Sequence, residues 1–227
     1  MPYQSAHLGF TLAEVLITLG IIGVVAALTM PSVINNIRAK QYETAMKKGY
    51  SVLSQALIRM NDEQGFIANH DNYGLDQFAP VFKNYLKLLK DCGREDCEAL
   101  GKDDDGATDY HSDIYKTYNG GNIWNGLFDE GQFMLSDGMF VMIDNDGFRP
   151  IIISIDVNGY NKKPNKWGHD LFTFQILNDT GKLVPMGSEE TYYNDEKLCS
   201  KNSTNNMNGV ACAYKAFTDA DYFKNLP

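Results

Sequence analysis

The hydrophobic and polar positions divide this chain into zones of different period. After a short leader ending at Gly9, the run Phe10–Met30 is almost wholly apolar and holds one ionisable side chain, Glu14. At about 1.5 Å per helical residue it spans roughly 30 Å, the thickness of a bilayer's hydrocarbon core. A helix satisfies its own backbone there. Past Pro31 the apolar residues fall at threes and fours: Ile34, Ile37, Tyr42, Ala45, Met46, Gly49, Leu53, Ala56, Leu57 and Met60. Arg38, Lys40, Lys47, Lys48, Asn61 and Asp62 take the positions between. This is the stripe of an amphipathic helix. The two zones predict one helix from about Thr11 to about Glu63, near 80 Å long and bent at Pro31, whose ring removes a donor and crowds the preceding turn. Gly20 and Gly23 either weaken that helix or permit close helix approach. Gln64-Gly65 ends it.

Leu75–Lys90 again has helical spacing (Phe78, Val81, Phe82, Tyr85, Leu86, Leu89), with lysines toward its end. Gly101–Gly121 is polar and rich in Gly and Asp, and reads as a loop; Asp103-Asp104-Asp105-Gly106 within it reads as a solvated turn. From Gln132 the period changes to two. Gln132–Leu135 and Met139–Ile143 flank Ser136-Asp137-Gly138, a hairpin signal. Asp144-Asn145-Asp146-Gly147 turns the chain into Ile151–Asp156. A long loop leads to Leu171–Leu177, and Asn178-Asp179-Thr180-Gly181 turns it into Lys182–Val184. The segment from Ser188 on is Tyr- and Asn-rich and predicts no regular element. The expected fold is α+β: a long helix, membrane-spanning in its first half, laid across a small antiparallel sheet so that both apolar faces are buried.

Composition narrows the function. A chain of 227 residues leaves room for one globular domain after the apolar run. A net charge of −9 with no polybasic patch argues against nucleic acid as a partner. The cysteines are Cys92, Cys97, Cys199 and Cys212. An even number outside the cytoplasm reads as disulfides, and of the three possible connectivities the spacing favours Cys92–Cys97 and Cys199–Cys212. The absence of a CxxC knuckle argues against zinc.

Glu14 is the anomaly of the apolar run, because a charge in lipid needs a partner and is functional by default. The run offers no cation. Cleavage after Gly9 would create one, the α-amine of Phe10, and a Glu14–amine pair between neighbouring subunits would fix axial register. Gly9-Phe10-Thr11-Leu12-Ala13-Glu14 followed by the apolar run resembles the N-terminal signal of type IV pilins and type II secretion pseudopilins. The resemblance covers about the first quarter of the chain, and Pro31 falls where that family places its helix-kinking proline.

The resemblance implies a membrane prepilin peptidase that cuts at Gly9–Phe10 and methylates the new N-terminus. It implies assembly guided by Glu14 into a helical filament with other pilin or pseudopilin subunits on an inner-membrane platform. The domain plan is then a leader (residues 1–9), a transmembrane and assembly helix (10–63) and a pilin-like globular domain (64–227). The chain would be single-pass in the bacterial inner membrane, with a periplasmic domain, before entering a pilus or a pseudopilus for protein secretion. Cys199–Cys212 resembles the C-terminal disulfide loop of many pilins. The leader carries no Lys or Arg, whereas Arg38, Lys40, Lys47 and Lys48 follow the span, the reverse of the usual charge bias.

The loop from Asp156 to Asp170 offers Asp156, Asn158 and Asp170. These side chains suit an oxygen cage for Ca²⁺, similar in character to the Ca²⁺ loop of major pseudopilins, and suit equally well Asx-turn caps. Lys162, Lys163 and Lys166 in the same loop lower its affinity for a cation. No filament role requires a cofactor. No nucleophile, metal-protease or phosphate-loop motif occurs, and His7, His70, His111 and His169 are scattered, so no enzyme is expected. Tyr192, Tyr193, Tyr214, Tyr222 and Phe223 either pack the tail onto the sheet or form a partner patch. The alternative to a filament subunit is a membrane-anchored binding or adhesion protein that never polymerises.

Overall fold

A computed structural model describes residues 11–94, 97, 111–124 and 126–227. Its elements are helix α1 (Leu12–Gln64), α2 (Phe78–Phe82), strands β1 (Leu88–Asp91), β2 (His111–Lys116), β3 (Asn122–Trp124), β4 (Gly131–Leu135), β5 (Phe140–Asp144), β6 (Ile152–Asp156), β7 (Leu171–Ile176) and β8 (Leu183–Pro185), and helix α3 (Cys212–Thr218). The chain forms two compact units, Met1–Lys40 and Gln41–Pro227, with the boundary inside α1.

In the first unit α1 runs through Pro31. Hydroxyls bond back to carbonyls along it, Thr18 to Val15 (2.9 Å), Thr29 to Val25 (2.9 Å) and Ser32 to Thr29 (3.2 Å). Such bonds let a helix carry hydroxyls through an apolar setting.

In the second unit, Met46, Gly49, Leu53, Ala56, Leu57 and Met60 are buried, as their spacing predicts. Gly65 closes the helix with φ +76° and donates its N–H to the Asn61 carbonyl at 3.0 Å. This left-handed position costs glycine little. The sheet is six-stranded, in the order β1-β4-β5-β6-β7-β8, and antiparallel throughout. From β4 onward it is a meander, because each short turn can reach only the adjacent position. The α+β expectation of a long helix and an antiparallel sheet is met.

Both sheet faces are covered. Val141, Ile155 and Phe172 stand in register, as do Ile143, Ile153 and Phe174. Gly49 meets Ile155 and the Tyr50 ring meets Phe174 at 5.4 Å, so this face packs on α1. Met142, Ser154 and Thr173 line up on the opposite face, which is closed by Trp167 and Tyr115. Trp167 donates its indole N–H to Thr173 Oγ1 at 3.0 Å, and Tyr115 donates its hydroxyl to Asp156 at 3.0 Å. An open antiparallel sheet commonly leaves one face wet; here the interior polar groups bond to one another instead.

Three expectations change. The Leu75–Lys90 helix shrinks to α2 and one 3₁₀ turn, Lys83–Tyr85. Leu88–Asp91 is instead an edge strand on β4, held further by Cys92 N–H to Gln132 O at 3.0 Å. Its lysine suits an edge, where charge discourages further pairing. The expected loop Gly101–Gly121 contains β2, which pairs with β3; its Asp103–Gly106 turn lies outside the described residues. The tail is not irregular throughout, since Ala213 and Ala216 sit on the buried side of α3.

Truncating Leu53, fully buried, tests the helix–sheet contact. Leu53→Ala is expected to destabilise the full-length protein in detergent by about 2–5 kcal/mol. Ile58→Ala on the same helix, 66% exposed, should change stability by less than about 0.5 kcal/mol. Denaturant melts of the two variants check the pair.

Candidate functional site

The front of α1 is long and apolar enough to span a membrane, and no residue of its most hydrophobic window is buried. Leu12 is 79% and Leu28 76% exposed. So much apolar surface in water is unfavourable at about 25 cal/mol per Å². Lipid or other apolar helices remove that cost.

At the head of this helix Thr11 and Glu14 form a reciprocal pair. Glu14 Oε2 accepts the Thr11 backbone N–H (2.9 Å) and the Thr11 hydroxyl (2.7 Å). The Glu14 N–H points back to Thr11 Oγ1 at 3.3 Å. This is a capping box, and Thr-x-x-Glu before an apolar run is its sequence signal. Glu14 therefore has a local role that the anomaly argument overlooked. Gly9 and Phe10, the residues of the expected cleavage, lie outside the described residues, and Pro31 lies inside α1.

The 156–170 loop does bring Asp156, Asn158 and Asp170 together. Asp156 Oδ1 accepts the backbone N–H groups of Asn158 (3.1 Å) and Gly159 (2.9 Å), and its Oδ2 takes the Tyr115 hydroxyl. Asp170 accepts the N–H groups of Asn165 (2.9 Å) and Lys166 (2.8 Å), one on each oxygen. Both acids are fully buried. Burial first, then mutual repulsion for Asp156, pushes the pair above the usual carboxylate range, against the backbone bonds that hold them down.

Every carboxylate oxygen here is thus an acceptor of a protein hydrogen, as the capping reading expects. Two acceptors stay without a donor, Asn158 Oδ1 and Asn165 Oδ1. Among the described residues no three His, Cys, Asp or Glu are placed to hold a metal ion. What the loop offers a cation is two carboxylates and amide oxygens, a hard-oxygen set of low charge.

His169 is buried, its Nε2 is 3.0 Å from the Tyr118 carbonyl, and burial drives it down to about 4, so it stays neutral. Tyr222 and Phe223 are buried as packing predicts, whereas Tyr192 and Tyr214 are exposed. The disulfides are Cys92–Cys97 and Cys199–Cys212, as their spacing favours.

Pattern reading missed a second acidic group, Asp129, Glu130 and Asp144, where the turn before β4 meets the end of β5. Glu130 and Asp144 are buried. Their signal is faint, because Asp144-Asn145-Asp146-Gly147 reads as a turn and nothing in Asp129-Glu130 before Gly131 marks burial. The chain matches no family model, no curated protein and no solved structure.

Proposed function

We propose that this chain is a prepilin-like filament subunit. The carrying observation is the exposed apolar front of α1 with Glu14 as the acid at its head. In this reading the helix holds the chain in the membrane until a peptidase cuts after Gly9 and methylates Phe10. The helix then leaves lipid for the core of a filament, where other helices cover the same apolar surface. Helix burial supplies cohesion. Glu14 meets the Phe10 amine of a neighbour and sets the axial step, and the second unit forms the outer surface. The work is mechanical. Pseudopilus and pilus are both open within this reading.

The mature N-terminus tests it. Mass spectrometry of the protein from cells with a prepilin peptidase is expected to show a chain starting at methylated Phe10. Retention of residues 1–9 together with a single unpolymerised copy in the bilayer would favour the anchored binding protein. Glu14→Ala is expected to leave processing intact and to reduce sheared filament below detection. Glu14→Gln, which keeps part of the capping box without the charge, should fail likewise. Normal filament in the Gln variant removes the pairing argument.

The Asp156–Asp170 loop is a site we assign to Ca²⁺ within the same reading, supported by the unpaired Asn158 oxygen beside two repelling carboxylates. Asp156, Asp170 and Asn158 would hold the ion, whose charge would offset their repulsion. The sign follows from linkage. Acids raised in the fold keep a proton that the unfolded chain has lost, so their contribution is most favourable at low pH and declines as pH rises through the raised values. In chelator, the melting temperature should be lower at about pH 8 than at about pH 5. Calcium should close part of that gap, and Asp170→Asn should abolish the calcium effect. No calcium-dependent shift at about pH 8 leaves the loop a capping device only.

A further inference from the structure

Glu130 and Asp144 are interior acids that the filament reading does not use. Asp144 is 1% exposed, yet neither of its oxygens meets a donor hydrogen among the described residues. Arg149 Nη2 approaches its Oδ2 only to 3.5 Å. Asp129 Oδ1 is likewise buried without a donor. Glu130 continues β4 past the Gly131–Ile143 pair, with its N–H on the Ile143 carbonyl at 3.1 Å and its Oε2 on the Asn145 N–H at 3.3 Å, which sets it across from Asp144 and next to Asp129. A buried acceptor left without a donor is destabilising, and native structures rarely leave one. A proton on Glu130 supplies the missing donor to either neighbour.

The charges around the pair point the same way. Asp129 adjoins Glu130. From the segment after β1, Arg94 pairs with Asp76 at 2.6 Å and reaches Glu130 only at 3.9 Å. In the turn after β5, Asp146 takes Arg149 at 2.6 Å, and Tyr193 of the C-terminal segment bonds to the same guanidinium at 3.0 Å. Asp76, Glu130, Asp144 and Asp146 therefore share two guanidiniums, and at Asp129 Arg94 Nε reaches the backbone carbonyl, at 3.2 Å. Burial, then these neighbours, hold Glu130 up at about 9; burial holds Asp144 at about 7 against the pull of Arg149.

The pair is wired to one segment through Asn145, itself 1% exposed. Glu130 Oε2 accepts the Asn145 N–H at 3.3 Å. Asn145 in turn accepts the Phe78 N–H on its side-chain oxygen at 3.1 Å and donates to the Tyr73 carbonyl at 3.2 Å. Its backbone carbonyl accepts the Asp76 N–H at 3.2 Å. The stretch from Tyr73 to Phe78, which leads into α2, is thereby fastened to the end of β5.

We propose that Glu130 and Asp144 form a proton-held latch on the 73–78 segment. While Glu130 carries its proton, it bridges to Asp144 and keeps Asn145 in place. When solvent base takes that proton, two adjacent buried carboxylates are charged, they part, and the Asn145 clasp opens. Reprotonation closes it. Because both acids are raised in the fold, the latch is tight on the acid side and loosens as pH rises from near neutrality through about 9.

Amide hydrogen exchange on the full chain, corrected for intrinsic rates, reads the latch directly. Between about pH 6 and about pH 9.5, protection at the Asp76 and Phe78 amides is expected to fall at least about tenfold, while core amides around Leu53 hold steady. Glu130→Gln keeps the shape and a permanent donor, and should flatten that pH dependence. Asp144→Asn should do the same, and carries the comparison if the first variant fails to fold. Protection at 76 and 78 that does not change with pH in the wild type, or an unchanged slope in the folded variants, overturns the latch.

Discussion

Where α1 meets the sheet the two surfaces come so close that a Cβ on Gly49 would stand 3.0 Å from Ile155 Cδ1 and 3.7 Å from Met139 Sδ. That approach fixes the height of the helix above the strands. It also selects what surrounds it. Met46 and Leu53, one turn to either side, are long enough to reach down beside Gly49, and both are fully buried. Lys48 lies on the opposite flank and pairs with Asp137 in the β4–β5 turn at 2.7 Å. That pair is too exposed to contribute much stability. It favours the register that the apolar contact already sets.

A sheet covered on both faces has a consequence for its polar residues. Period-two strands carry polar side chains toward what is usually solvent, and here that side is closed by Trp167, Tyr115 and the 157–170 loop. Ser154, Thr173, Asp156, Asp170, Asp144 and Glu130 are all in the interior as a result. The hydroxyls bond to each other at 2.9 Å. The acids near Asp156 draw on backbone N–H groups in tight turns, which is why their loop is rich in Asn and Gly. Among the described residues Asp144 has no such donor and Glu130 has a single one, the Asn145 N–H, and in the proposed latch a proton is the further partner. The same burial that stabilises the aromatic layer thus raises these acids above the usual carboxylate range, and the proposed latch draws on that.

Long periodic features were legible in the sequence. The stripe of α1, its stop at Gly65 and the meander from Gln132 to Val184 rest on patterns that repeat several times, with Asp-Gly and Thr-Gly turns between them. What failed to show were short elements decided by tertiary contact. Leu86 and Leu89 continue a helical spacing from Phe78, but the β4 edge offers the next residues a ladder of hydrogen bonds, and a short helix has little to set against that. His111–Lys116 is strand only because Asn122–Trp124 lies opposite. The alanines of α3 did carry a helical signal, lost in an Asn- and Tyr-rich tail. At the candidate sites, the residues of the 156–170 loop were readable by type, whereas their burial was not. The Thr11–Glu14 box was written plainly in the sequence and was masked by the stronger oddity of an acid in an apolar run.

The box bears on how Glu14 can serve a filament. A carboxylate waiting in lipid for a partner needs some stabilisation before the partner arrives. The Thr11 N–H and hydroxyl provide two bonds to one oxygen, and the positive end of the helix dipole lies directly beneath. Capping alone does not require a charge, since a neutral Gln at the same position completes a box. In the proposed assembly the charge is what a neighbour's ammonium would recognise. In the proposed assembly the cap holds Glu14 at one height on the helix, in a defined rotamer. The electrostatic attraction then draws the incoming amine to that height and no other. Apolar burial is indifferent to sliding by a residue or a turn. A single oriented charge is not, and so in the proposed filament the register would rest on the polar residue among many apolar ones.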